Sequence, residues 1–510
     1  MPVAAHTKRP SSREAEGGLA TSRETPEMHY NLTGHSRLTE ALRKEHGLYL
    51  EQRCNGRGTC GGCRVNLVSG RWEVSGKEIQ APCANVLGCQ TRLLSEEGTV
   101  DISPSLLAHA VCRETGLTGR KIPMKPGCGA VVGLDLGSTT VVGALAKDGI
   151  VLREASVLNR QTAYGADVMS RITHCQQHEK GLDELREAAL LSLREVFLAL
   201  CEDGTPVERI VVAGNTVMMC ILNGVSPVPI GTYPFQAPKL EFPDISAREW
   251  MLDCDARVSF VPCASGFIGG DVVCGLLQCP LQPGEALVDV GTNCEMVFNA
   301  GGRLLAVSAS AGPAFEGGMD GFTLRAVPGA VNHSRDDGAY TVVGEEGVWH
   351  LPGDGFQAAG LCGTGVIDAL AVLRRRGMLT ASGQCANGTS SLQVAGLELA
   401  AEAVSSIQLA KAAVASGIKI VEMLGKARCE RVYLAGLFGE HLGTSNAVAI
   451  GMLPDVPCVK VGNTSLSGAL MLACDDALLP LARDVAGRIS VYNLSEQEGY
   501  ERVFIEGLML

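Results

Sequence analysis

Three cysteines set close together and a fourth further along are the residues of this chain best suited to inorganic chemistry. Cys54-Asn-Gly-Arg-Gly-Thr-Cys60-Gly-Gly-Cys63 spaces its thiols as C-x5-C-x2-C, and Cys89 follows in Leu87-Gly88-Cys89-Gln90. Gly56, Gly58, Gly61 and Gly62 leave backbone amides uncovered by side chains, so the loop is able to wrap an anionic cluster and donate N–H groups to its sulfurs. Four thiolates suit either Zn²⁺ or an iron–sulfur cluster. Zinc commonly takes paired C-x2-C knuckles, and only one pair here has that spacing. Three close ligands and one distant ligand match the plant-type [2Fe–2S] arrangement, with x5 in place of x4. Cys54, Cys60, Cys63 and Cys89 are therefore the candidate metal ligands. Cys83 is the competing fourth ligand, and otherwise reads as a small buried apolar residue.

A second set of residues is built for phosphate. Val131-Val132-Gly133-Leu134-Asp135-Leu136-Gly137-Ser138-Thr139-Thr140 and Ala286-Leu287-Val288-Asp289-Val290-Gly291-Thr292-Asn293 are each an apolar strand running into Asp-x-Gly-[Ser/Thr]. A strand that turns tightly through such residues presents amides and hydroxyls to phosphate oxygens. The aspartate ahead of each glycine is expected to hold hydrated Mg²⁺ or to orient an attacking water. A later Leu434-Ala435-Gly436-Leu437-Phe438-Gly439 adds a third glycine turn. No G-x-x-x-x-G-K-[ST] loop is present, and no dinucleotide G-x-G-x-x-G follows a strand.

The elements that must position these residues follow from composition and pattern. A length of 510 residues suggests about three domains, and 46% apolar residues are enough for sizeable cores. Residues 1–27 are polar and read as a disordered tail, 28–103 as a small cysteine-bearing domain, and 104–128 as a linker. From 129 to 480 apolar strands alternate with helical segments, which favours an α/β fold in two lobes, about 129–283 and 284–480, with a C-terminal extension over 481–510. The repeated Asp-x-Gly strand suggests a duplicated domain. A formal net charge of −12 gives no general basic surface for nucleic acid. No secretory leader is visible, and no apolar stretch approaches the ~18 residues of a membrane helix. A cytoplasmic location is expected, with the 20 cysteines mostly reduced.

The region from Ala130 resembles the acetate kinase/sugar kinase/Hsp70/actin (ASKHA, ribonuclease H-like) superfamily. Asp135–Thr140 is similar to its first phosphate motif, Asp289–Glu295 to its second and Ala435–Gly439 to its adenosine motif. Joined to a β-grasp ferredoxin-like domain, the chain resembles the reductive activators of corrinoid proteins over roughly residues 30–475. Supporting stretches are Asn159 through Arg171, Ala213-Gly214-Asn215-Thr216, Ala311 through Gly317, Cys362-Gly363-Thr364-Gly365, Leu409 through Ala413 and Val461-Gly462-Asn463-Thr464. The chain departs from the family in its short linker, in Leu437 where a small residue is frequent, and in Cys294 where glycine is usual. Only Met28–Leu32 is available for the β-hairpin that ferredoxins place ahead of the helix at Leu38.

The resemblance implies a [2Fe–2S] cluster, ATP and Mg²⁺ as cofactors. Gly137, Ser138, Thr139, Thr140, Gly291, Thr292 and Asn293 would cradle phosphates, and Gly436 and Gly439 would line the adenine edge. Asp135, Asp289 and Glu316 are the catalytic candidates. Lys411 reads as an exposed helix lysine, and Cys294 and Cys362 as packing residues. The implied activity is ATP-dependent reduction of Co(II) to Co(I) in a corrinoid protein or cobalamin-dependent methyltransferase, drawing on an upstream low-potential donor. A plant-type cluster near about −400 mV falls short of a strongly negative Co(II)/Co(I) couple, and each ~59 mV costs tenfold in a one-electron equilibrium. A homodimer is also entertained. The competing readings are an ATP-dependent activator of a different redox enzyme and a redox-sensing ATP-binding scaffold without turnover.

Overall fold

A computed structural model describes residues 28–510 apart from 47, 49, 51–57, 59–62, 103–115, 126, 316–322, 325, 346, 387 and 389–390. The N-terminal domain sets β1 (Met28–Thr33), α1 (Leu38–His46), β2 (Arg64–Ser69), β3 (Arg71–Val74), β4 (Lys77–Gln80), β5 (Cys83–Leu87), β6 (Thr91–Leu93) and β7 (Glu97–Ile102) in order. Its main sheet runs β1-β7-β2-β5, every neighbour antiparallel, beside a small β4-β3-β6 sheet. Among the described residues one strand precedes α1, and β7 takes it directly as partner. The apolar stripe Leu38, Ala41 and Leu42 of α1 packs into a core with Leu32, Val65, Leu67, Val100 and Ile102. Spacing of three and four residues on the helix, against alternation on the strands, produces that face.

Two larger sheets carry the rest. The first contains β8 (Ala130–Leu136), β9 (Thr140–Lys147), β10 (Ile150–Leu158), β11 (Val207–Gly214), β12 (Ile245–Ser246) and β13 (Arg257–Phe260), in the order β10-β9-β8-β11-β13-β12. Helices α2 (Val168–Gln177), α3 (Gly181–Leu200), α4 (Thr216–Leu222) and α5 (Gly270–Gln278) accompany it. The second contains β14 (Glu285–Val290), β15 (Asn293–Ala300) and β16 (Arg303–Ser310). After β17 (Ala330–Ser334), β18 (Tyr340–Val342), β19 (Gly360–Leu361), α6 (Gly363–Arg375), the hairpin β20 (Ser391–Val394) and β21 (Leu397–Ala400), and α7 (Ala401–Gly425), the same sheet resumes. Its later members are β22 (Arg431–Ala435), β23 (Cys458–Gly462) and β24 (Ile489–Val491), separated by α8 (Gly436–His441), α9 (Thr444–Ala449), α10 (Thr464–Cys474) and α11 (Leu479–Arg488), with α12 (Tyr500–Gly507) last.

The duplication expected from the two Asp-x-Gly strands is present in the topology. Each large sheet has a three-stranded antiparallel meander, β8-β9-β10 or β14-β15-β16, extended by two strands parallel to its first, β11-β13 or β22-β23. Helices α5 and α10 pack on each other, and α10 lies across β8, so a helix late in the chain belongs to the core of the first lobe.

In residues 481–510, the C-terminal extension, β24 pairs with β16 at the edge of the second sheet, and α12 packs on α7. Two expectations change. Lys411 is fully buried, because α12 and the residues after it cover its face of α7, where its ammonium donates to the Met509 carbonyl. Finally, residues 403–425 are long and apolar enough to span a membrane by composition, but 72% of that window is buried inside the second lobe. The scattered Ser405, Ser406, Gln408 and Lys411 hide the run in the sequence. The described part of the linker, from Gly116 to Lys125, is pinned rather than free: Val151 donates to the Arg120 carbonyl, and Lys125 pairs with Asp476 at 3.3 Å.

Candidate functional site

The site grows from two matching hairpins. In the first, β8 carries Asp135 near its end, turns through Gly137, Ser138 and Thr139, and returns as β9 from Thr140. In the second, β14 carries Asp289, turns through Gly291 and Thr292, and returns as β15 from Asn293, with the Gly291 amide donating to the Asn293 carbonyl at 3.0 Å. The two turns meet, since Ser138 Oγ lies 3.4 Å from Thr292 Oγ1. The third glycine turn reaches the same place because β22 is parallel to β14, with Ala435 opposite Asp289. Gly436 has φ +80°, and a Cβ there would stand 2.4 Å from Asp289 Oδ1, so the position admits no side chain. Gly439 is buried on the following turn of α8. Phe438 of that helix stacks on Phe315 with ring centroids 4.9 Å apart. Glu316 lies outside the described residues.

Four carboxylates gather beneath these turns, each half-buried. Asp289 faces Glu295 across the β14–β15 hairpin. Asp271, in the first turn of α5, joins them with Asp135. Burial pushes Asp289 up to about 7, and the charges of Asp271 and Asp135 add to it. Burial likewise raises Asp271 to about 7, with Asp135 adding, and lifts Glu295 well above the usual carboxylate range with help from Asp271 and Asp289. Asp135 is also raised by burial, but there Asn463 Nδ2 donates to Oδ2 at 2.9 Å and Ser465 Oγ to Oδ1 at 2.7 Å, which oppose the rise. Crowded acids of this kind favour a cation. Among the described residues no three His, Cys, Asp or Glu side chains form a metal cage by themselves. A hydrated Mg²⁺ completed by phosphate oxygens suits that donor set, because Mg²⁺ keeps several waters and few carboxylates.

A further layer holds the turn at Gly137, Ser138 and Thr139 in shape. Asn159 Nδ2 donates to the Gly137 carbonyl at 2.8 Å, and the Asn159 amide donates to the Thr139 carbonyl at 2.9 Å. Arg171, fully buried, donates to the Ser138 carbonyl, to Gln161 Oε1 at 3.0 Å and to the Gly165 carbonyl at 3.0 Å. Neither Asp271, Asn463, Ser465 nor Arg171 was singled out for a role by sequence reasoning. The signals were present: Gly269-Gly270-Asp271 opens a helix, and Asn159 through Arg171 and Val461 through Thr464 are glycine-bearing polar stretches between apolar elements.

In the N-terminal domain Cys63 and Cys89 come together, and Cys54 and Cys60 lie outside the described residues. The Cys89 amide points at Cys63 Sγ, 3.4 Å away. A hydrogen bond from the Cys63 side chain, outweighing burial, brings the Cys89 thiol down to about 6, with Gln90 and the Gly58 backbone helping. Such an environment favours thiolate, the form that ligates iron. Cys83 stands apart on β5, its sulfur turned to the carbonyl of Ala84 at 4.0 Å. Cys294 and Cys362 are buried in the second lobe's core or against it, as packing residues are.

Comparison with known proteins divides the chain along the same lines. Residues 27–94 match the 2Fe-2S iron-sulfur cluster binding domain, 130–283 the RACo middle region, and 285–510 the C-terminal domain of RACo, the ASKHA domain. A corrinoid activation enzyme, RamQ, of Eubacterium limosum is 27% identical over 383 residues, covering 66% of this chain and 63% of the relative. A [Co(II) methylated amine-specific corrinoid protein] reductase of Methanosarcina barkeri is 28% identical over 356 residues, 62% of this chain and 64% of that one. The matches thus span less than two thirds of these relatives' lengths. Among solved structures, a reductive activator for corrinoid, iron-sulfur protein superposes with a TM-score of 0.63 at 24% identity, over 93% of this chain and 95% of the other, which establishes the fold.

Proposed function

This chain belongs to the RACo family, and on that premise we propose that it is an ATP-dependent activator that returns Co(II) corrinoid proteins to Co(I), one electron at a time. The observation that carries the reading is the union, in one chain, of the adjacent Cys63 and Cys89 with the opposed Asp135 and Asp289 turns. Cys54, Cys60, Cys63 and Cys89 would hold a [2Fe–2S] cluster, which supplies a single low-potential electron.

The residues of the ATPase lobes have separable tasks in this proposal. The amides and hydroxyls of Ser138, Thr139, Thr140, Thr292 and Asn293 bind phosphate oxygens from both sides, so a bound nucleotide ties the two lobes together. Asp135, which accepts hydrogen bonds from Asn463 and Ser465, would hold a hydrated Mg²⁺ beside the phosphates. Asp289 and Asp271, whose carboxyls burial and neighbouring acids raise in the metal-free protein, lie in the acidic cluster where an attacking water would be oriented. Glu316 remains a candidate alongside them. Gly436 lets the adenosine turn approach Asp289, which links base binding to the acidic cluster. Nucleotide-driven closure would favour whichever state of the complex binds ATP better, and that differential binding is what offsets an uphill electron transfer.

The test is anaerobic. The protein, a Co(II) corrinoid protein and a reductant are mixed with and without ATP, and visible spectra are recorded. A Co(I) band that grows only with ATP supports the proposal. If ATP turns over while cobalt stays Co(II) across a panel of corrinoid proteins, the client is a different redox enzyme.

A further inference from the structure

The iron–sulfur domain touches the ATPase at a point wired to the first phosphate turn. Helix α1 lays Leu38 against the cysteine loop, since a Cβ on Gly88 would lie 3.0 Å from the Cys63 carbonyl and 3.2 Å from Leu38 Cδ2. Further along the same helix, Arg43 reaches out of its domain. Its guanidinium donates to the Tyr164 hydroxyl and stands 5.3 Å from the centre of the Tyr164 ring. Both a hydrogen bond and a cation–π contact therefore bind α1 to the first lobe. His174, whose ring centroid is 5.0 Å from that of Tyr164, is bonded to Glu184 at 2.8 Å, and burial lowers its pKa against the pull of that carboxylate.

Tyr164 sits at the start of the layer that shapes the phosphate turn. Its amide donates to the Gln161 carbonyl at 2.9 Å, and the carbonyl of the next residue, Gly165, accepts from Arg171 Nε at 3.0 Å. Gly165 has no room for a side chain, because a Cβ would lie 2.9 Å from Ser170 Cβ and 3.0 Å from the Arg171 amide. The segment therefore has little freedom to move apart from Arg171. Arg171 in turn donates to the Ser138 carbonyl, within the turn that faces Thr292. A planar, fully buried guanidinium with donors fixed in a fork transmits a displacement of one carbonyl to another more faithfully than a flexible side chain.

We propose that Arg43 and Tyr164 couple docking of the iron–sulfur domain to the first phosphate turn, with Arg171 as the positioning residue between them. The coupling rests on the reading of Ser138 and its neighbours as an ATP phosphate site. By linkage it is reciprocal: nucleotide at the turn alters how firmly the iron–sulfur domain is held, and docking alters nucleotide affinity by the same factor.

The experiment titrates a fluorescent ATP analogue into the anaerobically purified, cluster-loaded full chain, and into R43A, Y164F, the double variant and K44A. The visible spectrum of the cluster reports that the N-terminal domain is folded in each. R43A and Y164F are each expected to change the dissociation constant by about fivefold or more. The double variant should go no further than the larger single change, as for two residues acting through one contact. K44A, which alters a neighbouring lysine paired with Glu40 of its own helix, should leave affinity unaltered. Nucleotide binding by the unaltered protein, with R43A and Y164F both within about twofold of it, overturns the coupling alone. Failure of the unaltered protein to bind nucleotide overturns the coupling and the ATP reading together.

Discussion

The two Asp-x-Gly hairpins have the same backbone plan and different electrostatics. In the first, the residue opposite Asp135 on β9 is Val142, and two neutral donors at the N-terminus of α10 grip the carboxylate. In the second, the residue opposite Asp289 is Glu295, and Asp271 adds a further charge. One hairpin fixes its acid in place, and the other concentrates negative charge that only a cation or protons relieve. The buried cations differ in the same spirit. Arg171 braces the first turn through three acceptors, whereas Lys411 of the second lobe donates to the Met509 carbonyl. A duplicated fold has thus divided its tasks: rigidity in the first lobe, charge in the second.

The sharpest break in that comparison comes from removing each acid. D289N and D135N are both expected to lower ATP turnover by about 10²- to 10⁴-fold, the span of a lost acid–base group. Their effects on the metal-free protein should then diverge. D289N relieves repulsion and raises the urea midpoint, while D135N weakens hydrogen bonds to Asn463 and Ser465 and lowers the midpoint through a stability loss of about 1 kcal/mol. Equal shifts of the same sign would contradict the division. Next in size, R171M leaves buried carbonyls without their charged donor and should cost about 2–3 kcal/mol in urea unfolding. R171K should fail to restore the KM for ATP, since an ammonium cannot span the fork.

Smaller effects sharpen the second lobe. G436A forces a side chain into a left-handed position against Asp289 and should cost about 1–3 kcal/mol, with a raised KM for ATP. Lys411 carries a pH signature. Burial lowers its pKa from 10.5 to about 8. Below pH 8 the ammonium is charged in both folded and unfolded chains, and folding bears the cost of burying it. Between about pH 8 and 10.5 the folded chain loses the proton first, so stability climbs by up to about 1.4 kcal/mol per pH unit. Thermal melts of K411M should lack that slope, and an identical slope would remove Lys411 as its source.

The Asp-x-Gly strands and the C-x5-C-x2-C loop were legible because each is a local pattern: a strand that ends in a glycine turn, or thiols a few residues apart. The duplicated sheets followed from them. Asp271 and Glu295 were harder, since their meaning arises only when α5 and the β14–β15 hairpin bring them beside Asp289. Asn463 is 328 residues from the aspartate it holds, a distance that no local pattern spans. Lys411 was misread for the same reason, its cover being supplied by α12 and the residues after it. At the start of the N-terminal domain the apolar run at Met28–Leu32 was legible as a strand, and its pairing with β7, some seventy residues later, was not.

The central claim is that one electron moves from the cysteine-bound centre to cobalt only when ATP occupies the paired turns. It is tested most directly by pre-reducing the protein, removing excess reductant and mixing it with a Co(II) corrinoid protein under anaerobic conditions. The cluster's EPR signal and the Co(I) absorption are then followed together, with and without ATP. The account predicts matched loss of the one and gain of the other with ATP, and neither without it. Cobalt reduction at the same rate and extent in the absence of ATP would contradict it.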